Sequence, residues 1–219
     1  MNKLNILFFC LIMPRPYSIH KRAAQQAQTR RRIVDATFAL HAERGIRGTK
    51  PADIAARADV ALTTFYKHFP TIDDLVRACG AHGREQTPPP DPATLAALPR
   101  DPSVRIAATV RALFEYYQAR EPWLYTGRTE ERHFRDVQLG MAHLREVRDG
   151  FVRAALAPAR AARETVGVAM ALVDFWAWRT LRREVGLTQE EVIRSVAETV
   201  GRAAGAHRPG RRPPAVSKR

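Results

Sequence analysis

The segment ALTTFYKHFP, residues 61–70, places large aromatic side chains next to polar ones. On a helix, Phe65 and Phe69 are four positions apart and share one face. An apolar face of this kind packs against neighbouring elements. The side chains on the other faces are mostly polar: Thr63, Thr64, Tyr66, Lys67 and His68. The segment therefore predicts a short helix that two phenylalanines anchor and that presents polar groups to a partner.

A second short helix is predicted immediately before this segment. It covers residues 51–58 and opens on a proline, which the first turn of a helix tolerates. Asp59-Val60-Ala61 then forms a tight connection to the helix at 62–68. Ile54 and Val60 are expected to join the two phenylalanines in a buried wedge.

Longer helices are predicted on either side of this pair. One covers residues 25–44 and ends at Gly45, where a left-handed residue is needed. The other runs to about residue 84 from a weak capping box at Thr71 and Asp74. Two short helices joined by a tight turn inside a three-helix packing form a helix-turn-helix. The second helix of this motif lies in the major groove of DNA.

The predicted DNA contacts follow from this placement. Threonine hydroxyls and methyls can meet base edges, whereas the tyrosine hydroxyl and the basic groups suit phosphate oxygens. The residues predicted to contact DNA are Arg31, Thr49, Lys50, Leu62, Thr63, Thr64, Tyr66, Lys67 and His68. A helical hairpin that merely packs is the alternative explanation of the same pattern.

Charge is concentrated at the two ends of the chain. Of the net charge of +14, residues 1–32 carry +7 and residues 205–219 carry +5, which leaves +2 for residues 33–204. Basic ends suggest a polyanionic partner, nucleic acid first and an acidic membrane surface second. The run from Lys21 to Arg32 is expected to act as a basic arm that reaches DNA or to be a disordered tail.

The apolar run at residues 4–13 is too short to span a bilayer. It resembles the core of a secretory signal, but no small-residue cleavage site follows. We favour a translation start at Met13 or an extension without function. The two cysteines, Cys10 and Cys79, form no CxxC pair, so neither a structural zinc site nor a disulfide framework is expected. The predictions are a cytoplasmic protein, no cofactor and no membrane partner.

The domain boundary is predicted at QTPPPDP, residues 86–92, because three consecutive prolines form a stiff spacer. The resulting domains are an apolar leader with a disordered basic arm (1–24), a helix-turn-helix domain (25–85), a helical ligand-binding and dimerisation domain (86–204) and a disordered basic tail (205–219). In the second domain, helices are predicted at 92–98, 102–120, 128–156 (with breaks), 158–185 and 189–204. Asp91 and Asp101 are predicted to cap the first two, and Thr188 and Glu191 to form a capping box at the last. Pro122 and Gly127 are expected to interrupt them. The predicted fold class is all-α.

Residues 31–76 resemble the N-terminal domain of the tetracycline-repressor (TetR) family of transcriptional regulators. The matching positions are Ile33, Ala36, Glu43-Arg44-Gly45, Asp53-Ile54-Ala55, Ala58, Val60, the run 64–69 and Asp74-Leu75. The resemblance implies an all-helical homodimer whose N-terminal domains bind a palindromic operator. It also implies that the larger C-terminal domain dimerises and holds a small-molecule inducer.

Several positions depart from the family pattern. Lys50 stands where a Thr or Ser cap is frequent, with Thr49 as a possible substitute, and Ala61 stands where a Ser cap is frequent. Asp59 replaces a turn glycine and tolerates left-handed geometry better than most residues. Ile72 replaces a phosphate-contacting lysine, and His41 replaces an aromatic residue. These departures predict weaker DNA binding within an unchanged fold.

The second domain holds most of the aromatic residues, which would suit a pocket for a hydrophobic or aromatic effector. The predicted ligand residues are Phe114, Tyr117, Trp123, Phe134, Met141 and Trp176. Plain core packing is the alternative, and Arg128, His133 and His143 could orient a polar group of the ligand. One stripe on the last two helices runs from Val168 to Arg179, and the other lies on the last helix. Both resemble the dimer interface of the family, and packing within one chain is the alternative. The predicted dimer contacts are Phe175, Arg179, Val192, Val196 and Val200.

The sequence thus predicts a ligand-responsive DNA-binding regulator, a repressor that a small molecule releases from DNA. Two alternatives remain open. A helical adaptor or membrane-surface protein could use the basic ends. An enzyme lacks support because no Ser/His/Asp spacing, Gly-rich phosphate loop or HExxH motif occurs.

Overall fold

The computed structural model describes residues 16–205. The apolar leader, the alternative start at Met13 and the basic tail from residue 206 onward lie outside the described residues, and the predictions about them stay predictions. Residues 16–205 contain helices and no strand, which confirms the all-α fold class. None of these helices is long and apolar enough to cross a membrane.

The helices follow one another along the chain with three short 3₁₀ segments between them. The α-helices are α1 (Pro16–Arg44), α2 (Pro51–Arg57), α3 (Leu62–His68), α4 (Ile72–Gln86), α5 (Pro102–Glu130), α6 (Arg135–Leu156), α7 (Arg163–Leu172), α8 (Phe175–Arg183) and α9 (Gln189–Ala203). The 3₁₀ segments are Pro92–Ala97, Glu131–His133 and Ala157–Ala159.

The chain divides into two compact units between His82 and Gly83. This division falls inside α4, shortly before the proline-rich spacer at which the sequence places the boundary. The first half of α4 belongs to the first unit because Leu75 and Cys79 are buried in its core. A helix can therefore continue across a division that packing defines.

The first unit is built around one apolar cluster to which α1, α2, α3 and α4 contribute. Its fully buried members are Ile33, Leu40, Ile54, Phe65, Phe69 and Leu75. Val60 in the turn packs against the cluster. The predicted wedge of Ile54, Val60, Phe65 and Phe69 is confirmed, and it fixes α3 to the rest of the unit.

Helix α1 begins at Pro16, whereas the sequence predicts a start at residue 25. Proline is favourable in the first turn of a helix, and the Lys, Arg, Ala and Gln residues that follow are strong helix formers. The prediction of a disordered arm is therefore wrong for residues 16–24. The C-terminal end is as predicted: Gly45 has φ 78°, a left-handed conformation that glycine adopts without steric penalty.

The second unit packs α6 and α9 against the long helix α5. Its core includes Val110, Leu113, Phe114, Phe151 and Trp178, all at most 2% exposed. The predicted N-caps are confirmed: Asp91 accepts a hydrogen bond from the Ala93 amide (2.9 Å) and Asp101 from the Ser103 amide (2.8 Å). Thr188 and Glu191 form the predicted capping box at the start of α9.

Helix α5 continues through Pro122 and Gly127, so the predicted interruption there is wrong. A proline inside a helix costs about 3 kcal/mol. Buried residues on both sides of it, Tyr117 and Leu124 among them, hold the two halves of α5 in one core. The burial of these apolar side chains outweighs the loss of one backbone hydrogen bond.

The structure divides the long helix predicted at 158–185 into the 3₁₀ segment Ala157–Ala159 and the helices α7 and α8. Arg160 takes a left-handed conformation with φ 49°, and a second break separates Leu172 from Phe175. At that break, Asp174 caps α8 by accepting a hydrogen bond from the Trp176 amide (3.0 Å). The predicted stripe from Val168 to Arg179 therefore does not lie on one helix.

Four of the five residues predicted for the dimer interface are packed inside the second unit. Phe175, Val192, Val196 and Val200 are each at most 4% exposed and belong to its core. The apolar stripe of α9 faces α5 of the same chain, so these side chains have no surface to offer a second copy. Arg179 keeps a side-chain exposure of 29%.

Candidate nucleic-acid interface and effector cavity

Helix α3 has one buried face and one exposed face. Phe65 and Phe69 are each 1% exposed, whereas Tyr66 is 48% and Leu62 is 42% exposed. Thr63 and Lys67 are exposed as well, and Thr64 and His68 are half-buried. The structure thus brings the predicted polar residues of α3 onto one surface, which is free to meet a partner.

The turn before α3 depends on a left-handed residue. Asp59 has φ 52°, as its place in the turn requires. Arg32 on α1 donates hydrogen bonds to the carbonyl oxygens of Ala58 (3.0 Å from Nε) and Asp59, and it forms an ion pair with the Asp59 carboxylate (3.8 Å). Asp59 and Arg32 together replace the glycine that the family usually has there.

Arg30 holds the other end of α3. Its Nη1 donates to the carbonyl oxygen of His68 (2.9 Å), and its guanidinium lies 4.1 Å from the centre of the Phe69 ring. A cation over a ring face is attracted by the ring quadrupole. Burial, together with the charges of Arg30 and Lys67, lowers the pKa of His68. In the protein alone, these effects favour the neutral imidazole of His68.

The remaining predicted DNA contacts differ in their surroundings. Arg31 and Lys50 are exposed. Lys50 occupies the N-cap position of α2 but makes no side-chain capping bond. Thr49 is half-buried and donates its hydroxyl to the carbonyl oxygen of Gly45 (2.7 Å), so it does not replace the missing cap. Ala61 likewise leaves α3 without a side-chain cap.

Arg30 and Arg32 were not among the predicted site residues, yet both position α3. The sequence carries a signal for them in the run Arg30-Arg31-Arg32 next to the first buried residue, Ile33. Because a helix turns by about 100° per residue, three consecutive side chains cannot all face DNA. The helical period alone does not identify which two of them contact α3 and its turn.

The second unit contains a small cavity between α5, α6 and the start of α8. Its volume is about 20 Å³, room for roughly one water molecule. Its apolar wall consists of Leu124, Met141, Leu144 and Phe175. Its polar wall consists of Tyr117, Arg128, Arg145, Arg148 and Asp174. An apolar wall with a few convergent polar groups is the composition typical of ligand sites, whose volumes are larger, about 300–1,000 Å³.

Asp174 is the centre of the polar wall. Its carboxylate accepts hydrogen bonds from Arg148 (2.5 Å) and from Arg128 (3.4 and 3.5 Å), and its side chain is only 15% exposed. Arg148 also binds Asp149 (2.8 Å), and Arg145 binds Glu131 (3.0 Å). Burial acts to lower the pKa of Arg148, but its bond to Asp149 and the charges of Asp149 and Asp174 outweigh it, so the pKa is raised.

Tyr117 closes the cavity on the α5 side. Its hydroxyl donates to the carbonyl oxygen of Val173 (3.1 Å), next to Asp174. Burial, reinforced by the charge of Asp174, raises the pKa of Tyr117. Tyr117 is therefore a neutral donor that ties α5 to the break between α7 and α8.

The structure brings two of the six predicted ligand residues, Tyr117 and Met141, to this cavity. Phe114 is fully buried in the core. Trp123 lies beside Arg120, Phe134 is half-buried in front of α6, and Trp176 is exposed and stacks edge-on against Tyr125 (5.8 Å). These four do not line the cavity, because a helical period cannot indicate which aromatic residues meet a void and which meet each other.

The helical unit α1–α4, with a left-handed turn before an exposed polar helix, has the architecture of the helix-turn-helix class of DNA-binding proteins. The sequence model of the bacterial regulatory proteins of the tetR family matches residues 33–79. The match covers α2, α3 and their connection together with parts of α1 and α4. Residues 33–79 are therefore similar to the DNA-binding domain of the TetR family.

Individual proteins are similar over most of the chain. The HTH-type transcriptional repressor KstR of Mycolicibacterium smegmatis is 29% identical over 165 residues, which are 72% of this chain and 79% of KstR. A protein from Saccharomonospora viridis, assigned as a transcriptional regulator and solved with choline, has a TM-score of 0.62 at 17% identity, covering 80% of this chain and 96% of its own. The multidrug binding protein EbrR, solved with ethidium, has a TM-score of 0.51 at 25% identity, covering 78% of this chain and 96% of its own.

Proposed function

We propose that the protein is a ligand-responsive transcriptional repressor that binds a palindromic operator as a homodimer and is released by a small molecule. The exposed polar face of α3, held by the buried Phe65 and Phe69, carries this proposal. The similarity to KstR, which is a repressor, supports repression rather than activation.

Each side chain of the α3 face has a chemistry that suits DNA. Thr63 and Thr64 offer hydroxyls and methyls to base edges in the major groove, and Leu62 offers an apolar contact to a thymine methyl. Tyr66 and Lys67 suit phosphate oxygens. Arg31 and Lys50, both exposed, add positive charge for the backbone.

A homodimer follows from the way such proteins read DNA. Two recognition helices that contact successive half-sites must be about 34–36 Å apart and related by a two-fold axis. Because the stripe of α9 is buried in the chain's own core, we place the dimer contacts at exposed side chains of α7 and α8. Val168 is 53% exposed and Trp176 is 36% exposed, and Arg179 is partly exposed.

Release requires an effector that favours a dimer geometry in which the recognition helices no longer fit the groove. A coupling free energy of roughly 1–3 kcal/mol would change operator affinity about 5–150-fold. The cavity beside Asp174 is the proposed effector site, since it combines apolar and polar walls.

The test is DNA binding by the wild-type protein and by the double variant Tyr66→Ala/Lys67→Ala. A duplex selected by the wild-type protein from a random pool serves as the operator. We expect the double variant to lose operator binding and to keep its helicity and its mass in solution. Lys67→Ala alone should reduce the slope of log affinity against log salt by about 1, because one phosphate contact disappears.

Arg153→Ala is the matched control, because it removes one exposed positive charge from α6, outside the DNA-binding unit. It should leave the affinity and its salt dependence unchanged. The proposal is wrong if the double variant binds the selected duplex as well as the wild-type protein does, or if the pool yields no preferred sequence.

A further inference from the structure

We propose that the effector is an anion with an apolar body, an aryl or alkyl carboxylate, and that the guanidinium groups of Arg128 and Arg148 hold it in place of the Asp174 carboxylate. This inference rests on the proposed function, because it names the chemical class of ligand for the same cavity. Charge, hydrogen-bond geometry and the make-up of the walls support it.

The cavity walls carry more positive than negative charge. Three guanidinium groups, those of Arg128, Arg145 and Arg148, line the cavity with a single carboxylate, that of Asp174. Arg145 and Arg148 each have a further acidic partner, Glu131 and Asp149 respectively, which do not line the cavity. A cation that entered would meet three like charges and one opposite charge, whereas an anion would meet three opposite charges and one like charge.

Of the three guanidinium groups, that of Arg128 has the longest hydrogen bonds to a carboxylate. Its side chain is only 18% exposed, and its bonds to Asp174 are 3.4 and 3.5 Å long. Charge-assisted hydrogen bonds between guanidinium and carboxylate are normally about 2.7–2.9 Å long and are often bidentate. A ligand carboxylate that approaches from the cavity could bind Arg128 at a normal distance, which Asp174 does not do.

Asp174 is held by its other contacts as the cap of α8. Its carboxylate receives the Trp176 amide as well as Arg148. It stands in the break between α7 and α8, next to Val173, whose carbonyl oxygen binds Tyr117. A ligand that takes the arginines from Asp174 therefore acts on the junction between two helices, which gives the effector a route to change the shape of the second unit.

The apolar wall provides the site for the ligand body. Leu124 and Phe175 are buried, and Met141 and Leu144 are half-buried. The cavity must grow from about 20 Å³ to admit such a body. The side chain of Met141 can move to make this room, since a methionine side chain is flexible. Gly127 lets Met141 lie close to α5: a β-carbon there would be 2.9 Å from the Met141 sulfur.

The experiment uses three probes of the same shape and different charge: 1-naphthoate, 1-naphthamide and 1-naphthylmethylammonium. Benzoate and decanoate extend the series to smaller and longer acids. Calorimetry with the full-length protein, without DNA, measures binding of each probe. We expect at least one acid to bind and the naphthyl series to rank the anion first, the amide second and the ammonium last.

Two variants separate the roles of the cavity groups. Arg128→Gln should weaken binding of the acid roughly 10-fold or more, because one charge-assisted hydrogen-bond pair is lost. Asp174→Asn should strengthen it several-fold, because it removes the competing carboxylate while an asparagine still caps α8. Arg153→Gln, an exposed arginine of α6, is the matched control and should leave binding unchanged.

Circular dichroism and melting curves show whether each variant is folded. If Arg128→Gln does not fold, the affinity of Asp174→Asn for the acid still tests whether the acid binds in place of the Asp174 carboxylate. The proposal is overturned if none of the acids binds, if the ammonium binds best, or if Asp174→Asn weakens binding of the acid.

A second arm measures release of the selected duplex by the acid that binds best. We expect release from the wild-type protein and weaker release from Arg128→Gln. An acid that binds in calorimetry and leaves the duplex bound contradicts its role as effector. A protein that binds no duplex at all contradicts the proposed function, and calorimetry then still decides whether the cavity takes an anion.

Discussion

Arg30, Arg31 and Arg32 are consecutive residues of α1, yet each has different surroundings. Arg30 binds the end of α3 through His68 and the Phe69 ring. Arg32 binds the left-handed turn at Asp59, and Arg31 is exposed. Two of the three charges therefore help to position the recognition helix. A run of basic residues on a helix has to be interpreted one side chain at a time.

The buried His41 should make the stability of the first unit depend on pH. It is 3% exposed, and burial lowers its pKa from 6.5 to about 4. Between these two values the unfolded chain binds the proton and the folded chain does not, so the free energy of unfolding falls as the pH falls. The shift corresponds to about 3 kcal/mol over this window. No effect of His41 is expected above pH 6.5.

Hydrogen exchange of the α1–α4 amides at pH 7 and pH 5 measures this effect. Tryptophan fluorescence cannot, because all three tryptophans lie beyond residue 122. His41→Phe should make the stability of the first unit less dependent on pH. His143→Gln, which removes an exposed histidine, is the control. An equal pH dependence in the wild-type protein and in His41→Phe would contradict the role of His41.

At the scale of an element, α3 is held by its neighbours rather than by its own ends. Ala61 has the extended backbone of an N-cap (φ −64°, ψ 145°) but no side chain that can cap. A helix of seven residues is unstable alone. The stabilisation that a cap would provide comes instead from the buried Phe65 and Phe69. Arg30 at the C-terminal end of α3 and Arg32 at the turn add to it.

Ala61→Ser should therefore stabilise the first unit by about 0.5–2 kcal/mol, because the hydroxyl can accept a hydrogen bond from an amide of the first turn. Exchange protection of the α3 amides, measured by mass spectrometry, checks this. Ala56→Ser, at an exposed position inside α2, is the control and should not stabilise. Unchanged protection in Ala61→Ser would mean that the cap is not the weak point of α3.

Elements of the second unit show where local signals fail. Pro122 predicts a break in α5, but the helix continues because its flanks are buried in one core. Asp174 lies inside a helical pattern and still ends it, because its carboxylate caps α8 and binds two arginines. In both cases tertiary contacts outweigh the propensity of a single residue.

At the scale of the whole molecule, the residues described form two apolar clusters, one in each unit. Trp178 is the largest side chain buried in the second cluster. It is 1% exposed, and its indole nitrogen donates to Gln189 (3.0 Å). A large loss of packing there should be felt in the second cluster alone.

Trp178→Ala should lower the free energy of unfolding of the second unit by about 3–5 kcal/mol, because it leaves a cavity and an unpaired glutamine. Trp176→Ala is the matched control, since Trp176 is 36% exposed and lies only two residues away. Hydrogen exchange should show lost protection in α5–α9 and unchanged protection in α1–α3. Equal losses in the two variants would contradict the assignment of Trp178 to the core.

The sequence by itself determined the fold class, the helix-turn-helix and the polar face of α3. These features depend on local patterns: the spacing of Phe65 and Phe69, the proline that opens α2 and the capping box at Thr188. It also determined the similarity to the TetR family, since the matching residues 33–79 form one continuous segment.

Only the tertiary structure decided which side chains meet across the chain. It brought Arg30 and Arg32 into contact with α3 and its turn, placed the stripe of α9 inside the core and gathered Arg128, Arg148 and Asp174 around one cavity. These residues are far apart in sequence, and the helical period gives the direction of a side chain but not the identity of what it meets. That identity depends on the packing of whole helices, which the pattern of a single helix does not contain.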